Sequence, residues 1–147
     1  NREKGRWNMK NRVFETVLYY TPEPSEKAVK LKGVLVRMGI RIKNISPEQA
    51  GETIGSLLGI AGYEKNSEED RAAENEEKAL PVMAQEMLVM HRFSERRLDE
   101  LLMNLRKAGV PKIALKAIVT ESNAGWSFGH LYEELLEEHQ RMSGMEQ

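Results

Sequence analysis

Five residues in the second half of the chain have side chains that could together hold and process a small anion: His91, Arg92, Thr120, Asn123 and Trp126. Histidine titrates near neutral pH and can serve as general acid or base. Arginine takes a carboxylate or phosphate through two parallel N–H bonds. Tryptophan can wall the apolar part of a ligand, while a threonine hydroxyl and an asparagine amide add short polar contacts. His91-Arg92 and Thr120 each follow an apolar run of strand length. If those runs are parallel strands, their ends share the rim where ligands of open α/β sheets bind. The same residues also have a plain structural use, commoner for such types: Trp126 packs the loop onto the core, Asn123 caps the last helix, and Arg92 stays in solvent.

Other chemistry is harder to find. Lys116 interrupts the apolar run Ile113–Val119. A catalytic lysine there would need a depressed pKa or an acidic partner. The simpler expectation is a half-exposed strand, with the stem packed and the amine in water. His91, His130 and His139 lie far apart, and the nine-residue step between the last two is not a shared-face ligand spacing, so no metal site is expected. The absence of cysteine excludes thiolate zinc sites, a cysteine nucleophile and disulfides. Gly51, Gly55 and Gly59 recur at four-residue steps, but no Gly-Lys-Ser/Thr triplet follows, so they do not make a phosphate loop. They call for close packing against that side or for a short, broken helix. No nucleophile elbow, catalytic triad, dinucleotide fingerprint or kinase signature occurs, and no cofactor is expected.

The elements that would position these residues can be read from periodicity and caps. Val13–Tyr20 is β-branched and aromatic, a strand closed by Thr21-Pro22-Glu23-Pro24. Ser25 caps a helix with an apolar face of Ala28, Leu31, Val34, Leu35 and Met38, stopped by Gly39. Ile40–Ile45 alternates as a half-wet edge strand. Ser46-Pro47-Glu48-Gln49 has the form of a capping box opening a helix to about Leu58. Met87–Met90 is a buried strand. Ser94 starts a helix faced by Leu98, Leu101, Leu102, Leu105 and Ala108, stopped by Gly109 and Pro111. Ile113–Val119 is a strand, Thr120–Ser127 a loop, and Phe128 to about Arg141 a final amphipathic helix.

These elements repeat. An offset of 70 residues carries Leu18 onto Leu88, Leu31 onto Leu101, Leu35 onto Leu105, Arg37 onto Lys107, Gly39 onto Gly109 and Ile40 onto Val110. The expected fold class is α/β: two βαβα units forming a small, mostly parallel four-stranded sheet flanked by helices. A ferredoxin-like split arrangement is the alternative. Residues 1–12 form a basic extension, and residues 13–141 one domain. Its first half is 13–62 and its second 81–141. Between them residues 63–80 form an acidic linker too poor in apolar side chains to offset its ordering entropy. At 40% hydrophobic and 31% charged residues, 147 residues suit one globular domain.

The segment Glu86–His139 closely resembles a family of short bacterial proteins known only as a domain of unknown function, number thirty-seven eighty-three. The resemblance rests on Met87-Leu88-Val89-Met90, the leucine-rich helix, Leu115–Thr120, Asn123, Trp126, Glu133-Glu134-Leu135 and Glu138-His139. A looser match through Gly39, Ser46-Pro47-Glu48 and Leu57-Leu58-Gly59 extends it over most of Val17–His139. It implies a compact bacterial domain and no activity.

Charge and length bound the partners. With 22 basic and 23 acidic residues the net charge is −1, which argues against a nucleic-acid partner; only the basic extension favours one. No apolar stretch approaches the roughly 20 residues of a spanning helix, and no signal-peptide pattern opens the chain, so a cytoplasmic protein without a membrane partner is expected. The lack of catalytic signatures, with eight methionines suited to adaptable packing, points to a non-enzymatic binding or regulatory module acting as a homo-oligomer. The alternative is a small enzyme acting on an anionic metabolite at the rim of His91, Arg92 and Thr120.

Overall fold

The computed structural model describes residues 15–63 and 82–145. The basic extension and, apart from Tyr63, the acidic linker lie outside the described residues. Strand β1 is Thr16–Tyr20; Val13 and Phe14, where the apolar run begins, lie outside the described residues. Ser25 Oγ then accepts the Ala28 amide at 3.1 Å and opens helix α1, Glu26–Arg37. The helix closes through Gly39 at φ 72°, which lets the Ile40 amide reach back to the Leu35 carbonyl at 2.9 Å. Strand β2, Arg41–Asn44, follows.

The helix expected to run to about Leu58 is broken, the form that the glycine spacing left open. Pro47–Gly51 is a 3-10 turn, Glu52 is extended, and Thr53 caps a separate five-residue helix α2, Ile54–Leu58. The break has a local cause. Thr53 Oγ1 accepts the Ser56 amide at 3.0 Å and starts a new helix where the longer one would have continued. Gly55 faces the ring of Tyr63, and a β-carbon at that position would lie 2.4 Å from the ring. The close approach anticipated for the glycines is met at Gly55, by an aromatic side chain of the same chain; a β-carbon at Gly59 would meet nothing within 4 Å.

Strand β3 is Met87–His91, helix α3 is Glu95–Lys107 with Ser94 as its cap, and strand β4 is Leu115–Ile118. A 3-10 turn at Asn123–Gly125 leads to helix α4, Phe128–Met145, which runs beyond the expected end near Arg141. The sheet order is β2-β1-β3-β4. The two outer ladders are parallel and the central one, β1 with β3, is antiparallel, so the sheet is mostly parallel as expected. The antiparallel centre splits the strand ends: β1 and β2 finish at one edge of the sheet, β3 and β4 at the other. The handedness rule binds β1-α1-β2 and β3-α3-β4, each a crossover between parallel strands, and leaves their relative direction free.

The repeat becomes a two-fold relation about the pair Leu18–Val89. Three offsets are needed. Thr16–Tyr20 falls on Met87–His91 at 71 residues, the helix ends on each other at 70, and Arg41–Asn44 on Leu115–Ile118 at 74. The strand registers obey this relation: Thr16 pairs with Arg41 as Met87 pairs with Leu115, and Tyr19 with Asn44 as Met90 with Ile118. Leu18 therefore corresponds to Val89. The single offset that matched it to Leu88 slips by one residue, which in a strand exchanges one face for the other.

Each face of the sheet carries its own core. Val17, Tyr19, Leu88 and Met90 pack under α1 and α3 through Leu31, Leu35, Leu101 and Leu105. Leu18, Tyr20, Met87, Val89 and Leu115 pack under α2 and α4 through Ile54, Leu57, Phe128 and Tyr132. Met83, Met87 and Met90 are core residues, so three of the eight methionines serve the interior. At the interface of the units the Ile54 amide donates to the Trp126 carbonyl and the Phe128 amide to the Glu52 carbonyl, both at 2.9 Å. Each unit thus satisfies the first amide of the other's second helix.

Candidate functional site

β3 and β4 are parallel, so His91-Arg92 and Val119-Thr120 leave the sheet at the same edge. The Val119 amide donates to the Met90 carbonyl at 2.9 Å, which places the two chain exits side by side. Thr120, Asn123 and Trp126 form one bonded turn. Asn123 Oδ1 accepts the Thr120 amide at 2.8 Å, Thr120 Oγ1 accepts the Asn123 amide at 3.1 Å, and Asn123 Nδ2 donates to the Ile118 carbonyl at 3.0 Å. The Trp126 amide donates to the Asn123 carbonyl at 3.0 Å. Asn123 is buried, and both polar atoms of its amide group are engaged within the turn. It braces this turn and does not cap the last helix; that task falls to Ser127, whose Oγ accepts the His130 amide at 3.0 Å.

Trp126 packs on the α2–α4 core, as its structural use required, and meets the His130 ring edge-on at 4.7 Å. His91 and Arg92 remain as the chemically open part of the rim. His91 sits opposite Thr16 at the end of the central ladder and is half-buried. Burial, and secondly the Arg92 charge, lower its pKa from the ordinary imidazole value. Arg92 is exposed and holds φ at +66°, left-handed backbone that a non-glycine residue adopts only under local constraint. The edge where β1 and β2 end, with Thr21 and Ser46, lies opposite and contributes nothing to this rim.

Lys116 is held more tightly than a solvated strand lysine. Its amine donates to the Ile113 carbonyl at 2.7 Å, and burial together with the neighbouring Lys112 charge lowers its pKa. It lines a pocket of about 250 Å³ with Leu102, Leu105, Arg106, Lys112 and Ile113. Sequence reasoning passed over Arg106 and Lys112. Their proximity to Lys116 depends on how the loop after α3 folds back, and no periodicity reports that.

A second groove, of about 350 Å³, lies between the ends of α1 and α3. Its lining comes in pairs related by the two-fold: Val34 and Asn104, Arg37 and Lys107, Met38 and Ala108. No cluster of metal-ligating side chains occurs among the described residues, and none of their helices is long and apolar enough to cross a membrane.

Residues 86–142 match the family model of a domain of unknown function (DUF3783), as the resemblance implied. The match covers the second unit; the first, which repeats its architecture, lies outside it. No curated protein and no solved structure matches the chain.

Proposed function

We propose that the domain is a non-enzymatic binding module that acts as a homo-oligomer, with the outer face of the α1–α3 layer shared between copies. One observation carries this: Val29 and Val36, two turns apart on α1, are 71% and 69% exposed, and Met103 at the matching level of α3 is 46% exposed. With Gly33 between them, the valines make a smooth stripe at positions i, i+4 and i+7. β-branched side chains are middling helix formers, and a water-facing valine gains no burial within its own chain. A covering surface supplies that burial.

One opposite-charge pair suits a second copy as the cover: the outer side of α1 carries Lys30 and that of α3 carries Asp99, both exposed, although Arg37, Arg96 and Arg106 leave both helices basic on balance. An isologous arrangement laying α1 of each copy on α3 of the other opposes these signs twice. Sedimentation equilibrium at micromolar concentration should show a dimer or higher assembly, and Val29→Glu with Val36→Glu should yield a folded monomer. A wild-type protein that stays monomeric over that range removes this function.

A second function is favoured by Arg92 alone. An exposed guanidinium on left-handed backbone, beside a half-buried imidazole, suits a small enzyme that acts on an anionic metabolite at the His91–Arg92 rim. Native mass spectrometry would then show a reproducible added anion that Arg92→Ala loses. An unladen protein whose mass never changes argues for the binding module.

A further inference from the structure

The two units depart from their symmetry most sharply where the offset jumps from 70 to 74. Four residues, Pro111-Lys112-Ile113-Ala114, stand between the end of α3 and β4, with no counterpart between Ile40 and Arg41. This insertion builds the pocket of Lys116. It brings in Lys112 and Ile113, and its Ile113 carbonyl holds the Lys116 amine.

The pocket's chemistry also departs from the first unit. Leu102, Leu105, Arg106, Val110 and Lys116 correspond to Lys32, Leu35, Val36, Ile40 and Ile42. The single cation of the first set lies 5.9 Å from the centre of the Tyr19 ring and is engaged there. The second set, with the insertion, holds three cations around an apolar floor, and none of the lining residues is acidic. Arg106 also complements the negative end of α3. Lys112 and Lys116 lie in a loop and a strand and serve no helix end.

We infer that this pocket is a docking site for an acidic, aliphatic peptide segment of a partner protein, laid along the free edge of β4. β4 ends the sheet and offers main-chain donors and acceptors to an added strand. At about 250 Å³ the pocket is smaller than the roughly 300–1,000 Å³ of small-molecule sites and is sized for one side chain. Leu102, Val110 and Ile113 receive an aliphatic group, while Lys112, Lys116 and Arg106 receive the flanking carboxylates. A lysine on an edge strand also discourages indiscriminate pairing. Lys116, however, turns its amine toward the Ile113 carbonyl and keeps two N–H donors for a ligand. The crowding of Lys112 and Lys116 leaves a positive field that an incoming carboxylate relieves. The site does not depend on self-association, which the valine variants test separately.

The test is fluorescence anisotropy of the full chain with a labelled heptapeptide alternating glutamate and leucine. Its glutamine–leucine counterpart and octanoate serve as comparators. Saturable binding to the acidic peptide is expected, weakened by salt and about tenfold weaker for the neutral peptide. Lys116→Ile, which installs the residue of the first unit, should weaken binding about tenfold without lowering the melting temperature. Lys112→Gln, on an exposed loop, should do the same and remains informative should Lys116→Ile fail to fold. No saturable binding, or binding unchanged in the folded variants, overturns the inference. Octanoate displacing the peptide at equal concentration assigns the pocket to a small amphiphilic anion and also overturns it.

Discussion

The first unit closes its sheet edge with a two-residue step from Gly39 to Arg41, whereas the second takes six residues from Gly109 to Leu115 over the same passage. Beneath that difference the units share helix stops at φ 72° and 80°, the same strand register and the same placement of buried leucines. They share another device as well: a carboxylate just before the first strand tied to a cation at the start of the opposite helix. Glu15 takes Arg97 through Nε and Nη2 at 2.9 and 2.8 Å, and Glu86 takes Lys27 at the related place. The parts needed to hold the sheet recur; the passage before the last strand and the residue that closes the first strand do not. At the related positions, Tyr20 is buried with its hydroxyl on the Met83 carbonyl, and His91 is left half-open.

Paired substitutions test that division. Leu31→Ala and Leu101→Ala each empty a fully buried site and should each cost about 3 kcal/mol in urea unfolding. A large inequality between them would break the equivalence of the two cores. Gly39→Ala and Gly109→Ala force a side chain into left-handed backbone and should each cost about 1–2 kcal/mol. The ion pairs should separate the units. Arg97 also donates to the Met38 carbonyl at 2.7 Å and to Glu100 at 3.0 Å. Arg97→Met should therefore cost about 1 kcal/mol and Lys27→Met less, since these groups stay partly in water.

The smallest effect is the pH dependence of His91. Its folded pKa lies below the unfolded value of about 6.5, so the unfolded chain takes up the proton first as pH falls. Stability is whole above pH 6.5 and declines as pH falls from there through the lower folded value. His91→Phe should flatten that part of the curve in denaturant titrations from pH 7 to 5. A slope that survives the substitution belongs to other groups.

Most of the fold was legible because its signals are local. Ser25 and Ser94 as caps, Gly39 and Gly109 as stops, and the leucine spacing of α1 and α3 each report a backbone state within one helical turn. The glycine spacing allowed a break, but its place before Thr53 was not legible, since Ser46-Pro47-Glu48-Gln49 opens a 3-10 turn as readily as an α-helix. The symmetry was half hidden. Ser46…Gln49-Ala50-Gly51…Thr53-Ile54-Gly55 and Thr120…Asn123-Ala124-Gly125…Ser127-Phe128-Gly129 agree closely, but only at an offset of 74. The rim was partly legible: His91, Arg92 and Thr120 do leave neighbouring strands together. Asn123 was assigned to the wrong partner because its bonds run backward, to Ile118 and Thr120, against the direction in which a cap acts.

The exchanged amides of Ile54 and Phe128 bear on what either unit would lack alone. A single unit of this kind would leave the first amide of its second helix and one edge of its first strand without protein partners, and a second identical unit would supply both. The contact about Leu18–Val89 has the form of a homodimer interface held within one polypeptide. Covalent linkage of the two units replaces an association that depends on dilution with one fixed at an effective concentration on the order of millimolar. It also lets the two units differ, which identical subunits cannot do. Four extra residues before β4 in one unit alone are a difference that only a single chain holding both units allows.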